Sequence, residues 1–229
     1  MTANGWQTLR LDELEPIFAA GVNWKPLRRT LGIEAFGTNA YVAGPGEDVI
    51  EEHSEERLGH EEVYVVVSGR ATFTLDGEEC DAPAGTIVHL ADPSVRRHAR
   101  AVEPNTVVLA IGGKPGEAYT PSAWEWYFEA ERFRPTIDKD ESGLERFLTD
   151  QSEPLPDADA ALALLDEALE RFPDHVGVLF SIACWQAIAG RDDEALETLR
   201  RAEAIEPRIR EWAANDDDLA SVRDRFLET

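Results

Sequence analysis

Histidine and carboxylate side chains crowd into EEHSEERLGHEEVYVVVSG, residues 51–69, which holds His53, Glu55, His60 and Glu62. Imidazole nitrogens and carboxylate oxygens are donors for divalent first-row metals, and the same groups can carry protons in general acid–base chemistry. His53 and Glu55 stand two apart, so on an extended strand both project to one side. Glu62 opens EVYVVVSG, where alternation sends Glu62, Tyr64, Val66 and Ser68 to a common face. A carboxylate on the inner face of a small β-domain is costly unless it is paired or metal-bound. Downstream, GTIVHLADPSVRRHAR reads as strand, turn at Asp92 and Pro93, and a second strand on which Arg96, His98 and Arg100 share a face. A guanidinium there offers another chemistry, bidentate pairing with an anion.

The elements that must position these groups are short. From Trp24 to about Gly113 the chain alternates apolar runs with Gly, Pro and Asp: TLGIEAFG, NAYVAGPG, EVYVVVSG, RATFTLDGEE, GTIVHLAD and NTVVLAIGG. Runs of this length, rich in Val, Ile, Thr, Tyr and Phe, predict an all-β sandwich or barrel. Asp76–Gly77 is a hairpin signal, because both positions of a two-residue turn favour positive φ. Arg28 and Arg29, read as strand neighbours in KPLRRTLGIEAFG, place one guanidinium at the barrel mouth and the other in solvent. Residues 1–23, with Leu9, Leu11, Leu14 and Ile17 interrupted by Pro16 and closed by Gly21, read as a leader packing on the barrel of residues 24–120.

Beyond Pro115, residues 121–141 read as an aromatic helix capped by Ser122 and carrying Trp124, Trp126, Tyr127, Phe128 and Phe133, then the charged linker RPTIDKDESG. Its aromatic face is expected to cover the junction of the two halves. Residues 142–229 turn to Ala, Leu, Glu and Arg at helical spacing, and they repeat. Ala161, Leu162, Leu165, Ala168 and Pro173 recur as Ala195, Leu196, Leu199, Ala202 and Pro207, each displaced by 34 residues. On those residues, with Gly190 at a helix–helix turn, the segment resembles the tetratricopeptide-repeat family. The resemblance implies a surface for a protein partner. Pro154 and Pro156 depart from the pattern, and REWAANDDDLASVRDRFLE reads as a capping helix.

The β-region resembles the cupin family, a small jelly-roll barrel, over about residues 30–113. His53 stands at the family's first histidine, Glu55 where the second belongs, and Glu62 and Gly69 at its glutamate and glycine. The histidine of the second motif falls on Arg96 when counted from Gly85, and on Val88 in the register from Gly77. Arginine is not a metal ligand, so the family's site of three histidines and one glutamate cannot form as such. Two readings stay open. In one, His53, Glu55, Glu62 and His98, with His60 in reserve, hold a divalent ion such as Fe, Mn, Ni or Zn, and Tyr64 donates a proton or hydrogen bond to an oxygenase or isomerase reaction. In the other, Arg96, Tyr64, His53 and Glu62 bind a small anionic molecule without a catalytic metal. The family resemblance also implies a homodimer through barrel-edge strands. A third reading gives the chain a scaffolding role through the helical repeat alone.

Composition sets outer limits. The expected fold class is α+β, the jelly-roll β-barrel that the cupin resemblance implies followed by a helical domain. With 46 acidic and 22 basic residues, a formal charge of −24 repels nucleic acid and anionic membrane surfaces. Cys80 and Cys184, far apart and outside any CxxC, argue against a disulfide framework and suit a reducing compartment. MTANGWQTLRLDELEP lacks a signal-peptide pattern, and no apolar run nears the roughly 20 residues of a bilayer span, so a soluble cytoplasmic protein is expected. There is no GxSxG, Walker loop, HExxH or GxGxxG.

Overall fold

A computed structural model describes residues 7–134 and 156–228, and the chain divides into two compact units, Met1–Ser122 and Ala123–Thr229. In the first unit the described strands are β1 (Ile17–Ala19), β2 (Val22–Lys25), β3 (Gly37–Ala43), β4 (Asp48–His53), β5 (Glu61–Ser68), β6 (Arg70–Leu75), β7 (Glu78–Pro83), β8 (Ile87–Leu90), β9 (Arg97–Ala101) and β10 (Thr106–Gly113). One sheet runs β1-β2-β3-β10-β5-β8 and the other β4-β9-β6-β7, with antiparallel pairings. The facing orders 3-10-5-8 and 4-9-6-7 are those of a two-sheet jelly roll. Val66, Val108, Ala71, Phe73, Ala99 and Ile50 are buried along these strands. Tyr64 of one sheet meets Phe73 of the other at a ring separation of 5.7 Å, so the inner faces interdigitate.

Turn chemistry sets the register. Asp76 and Gly77 have φ of 48° and 87° and join β6 to β7 with Leu75 opposite Glu78. Gly69 has φ of 69°, and a Cβ there would lie 2.7 Å from the Thr106 Cα, so glycine is required by close backbone approach as well as by conformation.

Two expectations are corrected near the N-terminus. The described part of the leader is a hairpin in the larger sheet: Ala20 and Gly21 take φ of 49° and 83°, a two-residue turn that pairs Ala19 with Val22. Lys25 is buried and donates to the carbonyls of Leu11 and Leu14, both at 2.6 Å, tying down the 3-10 turn Leu11–Glu13. The run containing Arg28 and Arg29 starts as a helix, α1 (Leu27–Leu31), not a strand. Pro26 at its entry and Gly32 at its exit, with φ of 65° and its N–H turned back to Arg28 and Arg29, outweigh the β-formers around them. Arg28 is buried, donates to the Ile33 carbonyl at 3.0 Å and lies over the Tyr119 ring.

The second unit contains α2 (Trp124–Ala130), α3 (Ala158–Arg171), α4 (Val176–Ile188), α5 (Asp192–Ile205), α6 (Ile209–Asn215) and α7 (Arg223–Leu227) among its described residues. The residue at the N-cap of α2 is Ala123 rather than Ser122, without a side-chain bond. Trp126 and Trp185 are core residues of this unit, clustered with Ala158, Leu165 and Ile182, so they form no exposed aromatic surface. The positions 34 residues apart have matching environments: Ala161, Leu162, Leu165 and Ala168 on α3 are buried, as are Ala195, Leu196, Leu199 and Ala202 on α5. Pro173 and Pro207 follow the ends of those helices. Helix α4 is apolar all round because its sides enter two cores, Val178, Ile182 and Trp185 with α3, Leu179, Ala183 and Cys184 with α5 to α7. The segment read as one capping helix is broken: the Asp216 side chain accepts from the Asp218 N–H and starts a 3-10 turn, Asp217–Leu219, between α6 and α7. Pro154 and most of the linker lie outside the described residues.

Candidate functional site

The polar groups of the first unit converge at one end of the jelly-roll interior. His53 ends β4, Glu55 and His60 sit in the loop to β5, Glu62 and Tyr64 follow on β5, and Arg97 opens β9. Opposite Glu62 on β10 is Gly112, where a Cβ would lie 2.9 Å from the Glu62 Cγ. The glycine is what lets the glutamate side chain lie across the sheet. The loop is held by the Glu55 N–H to the Pro93 carbonyl at 2.9 Å and by the Gly59 N–H to the Glu55 carbonyl at 2.6 Å.

Donor atoms of His53, Glu55 and Glu62 all lie within 4.8 Å of one another. The His53 Nδ1 is 2.8 Å from the Glu51 carbonyl, which can only accept, so Nδ1 carries the proton and the Nε2 of the neutral ring keeps its lone pair. That Nε2 lies 3.8 Å from the Glu55 Oε1, and the His60 Nδ1 approaches the Glu55 Oε2 at 3.1 Å. The His60 contact has ion-pair distance without hydrogen-bond geometry, since Glu55 Oε2 is buried with no hydrogen-bond partner. One nitrogen and two carboxylates, with the imidazole oriented through its far nitrogen by a carbonyl, are a donor set that suits a divalent first-row ion.

Tyr64 donates its hydroxyl to the Glu62 Oε2 at 2.7 Å. Burial, together with the nearby Glu55 charge, raises the Glu62 carboxyl above its ordinary range despite the Tyr64 hydrogen bond and the positive charge of Arg97. Burial and the adjoining Glu62 push the Tyr64 phenol well above its usual value, so it stays a donor at neutral pH.

Arg97 is the group that the residue count missed. It is 0% exposed, its Nη1 is 3.9 Å from the Glu62 Oε2, and none of its Nε, Nη1 and Nη2 makes a hydrogen bond. Arg96, expected inside, is instead a surface residue with its side chain 65% exposed; it pairs with Glu52 at 2.6 Å. Its backbone is clamped to the β6–β7 turn, the Arg96 N–H to the Asp76 Oδ1 and the Asp76 N–H to the Arg96 carbonyl, both at 2.9 Å. Arg97, Ala99 and Ala101 oppose Leu75, Phe73 and Ala71 and face inward, which turns Arg96, His98 and Arg100 out. His98 is therefore not with the other candidate ligands: its Nε2 is 3.0 Å from the Asp48 Oδ1. Against its burial, Asp48 is held below the usual carboxylate range by His98 and Arg100. The signal for Arg97 was present in RRHARA, whose small apolar residues alternate with Arg97 and not with Arg96. His89 packs outward and pairs with Glu61 at 2.6 Å.

No family model and no curated protein matches the sequence. Solved structures do. A cupin protein from Bacteroides fragilis is 21% identical over 52% of this chain and 92% of its own, with a TM-score of 0.38. A Cupin 2 conserved barrel domain protein from Salinispora arenicola is 20% identical over 49% of this chain and 92% of its own, with a TM-score of 0.42. A structure from Acidithiobacillus ferrooxidans, provisionally assigned as a sugar phosphate isomerase, is 24% identical over 40% of this chain, with a TM-score of 0.36. This chain spans 58% of that protein's length, less than two thirds.

Proposed function

We propose that the first unit binds a small anionic molecule inside its jelly roll, with Arg97 as the anchor and Tyr64, His53 and Glu62 around it. The observation that carries this reading is the Arg97 guanidinium, fully buried and with no hydrogen bond at any of its nitrogens. Burying such a charge costs several kcal/mol unless hydrogen bonds and an opposite charge offset it, and a Glu62 oxygen at 3.9 Å supplies only the second in part. A planar anion reaching Arg97 would satisfy the fork. Ligands that bind the native state alone raise the melting temperature, so thermal shift against small carboxylic acids tests the reading. Stabilisation of the wild type that disappears in Arg97→Met is expected, and stabilisation that persists in the variant contradicts the assignment.

The grouping of His53, Glu55 and Glu62 favours a second reading, a metal-dependent cupin-type enzyme. A divalent ion on these side chains would supply Lewis-acid or redox chemistry. The chain's own residues would orient an anionic substrate through Arg97 and hold a proton on the Tyr64 oxygen. Elemental analysis of untagged protein separates the readings, because near-stoichiometric Fe, Mn, Ni or Zn favours the enzyme. For the second unit, the matched burial of α3 and α5 supports a tetratricopeptide-like interaction module for a protein partner. A cytoplasmic homodimer completes the proposal.

A further inference from the structure

Among the described residues, the inner face of β3 carries a further buried polar atom without a hydrogen-bond partner. Asn39 is 6% exposed, and its Oδ1 makes no hydrogen bond. Strand register sets it on the inner face: Asn39 opposes Ala110, and Ala110 opposes Tyr64 on its other side. The next row is Gly37, Gly112 and Glu62. Asn39 and Tyr64 thus stand two strand spacings apart, about 10 Å between backbones, with only an alanine methyl between them. Arg97 comes from the opposing sheet against Glu62 at the end of that row. A buried guanidinium without a hydrogen bond calls for an anion, and a buried amide oxygen without one calls for an O–H or N–H donor.

We infer that the ligand is a small hydroxy acid, its carboxylate on Arg97 and a hydroxyl donating to the Asn39 Oδ1. This rests on the anion-binding reading above and extends it to the ligand's second functional group. A carboxylate fits better than a phosphate. One guanidinium balances one negative charge, whereas the Glu55 and Glu62 carboxylates beside it would repel a dianion. A hydroxyl that leaves no buried acceptor unpaired also gives discrimination, because the analogue lacking it strands Asn39.

The test is calorimetric titration of the full chain with two matched pairs, glycerate against propionate and gluconate against hexanoate, and with glycerol 3-phosphate. In at least one pair the hydroxy acid is expected to bind about tenfold more tightly than its partner, the worth of one buried hydrogen bond. Asn39→Ala, which removes an unsatisfied group and so should melt no lower than wild type, is expected to erase that preference while the acid still binds. The inference is overturned if neither hydroxy acid is preferred, if the preference survives in Asn39→Ala, which would put the hydroxyl elsewhere in the site, or if glycerol 3-phosphate matches glycerate. Failure of the underlying reading looks different: no acid binds the wild type, or binding persists in Arg97→Met.

Discussion

At the scale of single residues, the chain sets buried charges close together and leaves them incompletely satisfied. Glu62 shows the thermodynamic consequence. Its folded carboxyl is raised above the ordinary value of 4.5, so the native protein takes up this proton at a higher pH than the unfolded chain. Stability from this group is therefore present at low pH and is lost as pH rises through the folded value. Unfolding followed as pH rises from 4.5 should show a shallower slope in Glu62→Gln than in wild type, the remainder coming from other buried carboxyls such as Glu131 and Asp216. In metal-binding titrations the same substitution should weaken affinity by more than the roughly 10–100-fold that loss of an outer-shell partner costs, if His53, Glu55 and Glu62 hold an ion. The two cysteines differ as sharply. Burial, with Asp216 and Asp218 close by, pushes the Cys184 thiol well up, while Cys80 is exposed. A thiol reagent should titrate one sulfhydryl in the native protein and two after unfolding.

Elements were legible in the sequence wherever turn chemistry was unambiguous. Asp76–Gly77 marked the β6–β7 hairpin, and the valine-rich run after Glu62 marked β5, because glycine and alternation act locally. Where two local signals competed, the reading went wrong. Pro26 and Gly32 bracket a helix that β-branched neighbours disguised, and Ala20–Gly21 closes a hairpin within what the leucine spacing presented as a leader. The identity of the inward arginine was lost to a shift of a single residue. Counting from Gly85 chose Arg96, whereas the local phase of Ala99 and Ala101, fixed by pairing with β6, sets Arg97 on the inner face. Gly69 was visible as a motif residue, but its cause, the approach of Thr106, was not. Gly69→Ala should cost about 2 kcal/mol or more in equilibrium unfolding, since positive φ and a clash with backbone act together.

On the scale of the whole molecule, a β-sandwich with polar groups at one end of its interior and a helical unit with its own cores share one strongly acidic chain. No helix among the described residues is long and apolar enough to cross a membrane. The 34-residue period was readable because packing of small residues between helices repeats with it, as the matched burial of α3 and α5 shows. The central claim concerns the guanidinium at residue 97, and its most direct measurement is binding of a small monocarboxylate to wild type, Arg97→Lys and Arg97→Met in parallel. Binding by wild type, at least tenfold weaker binding by Arg97→Lys, which loses the planar fork, and none by Arg97→Met is the expected result. Equal affinity in all three would contradict it.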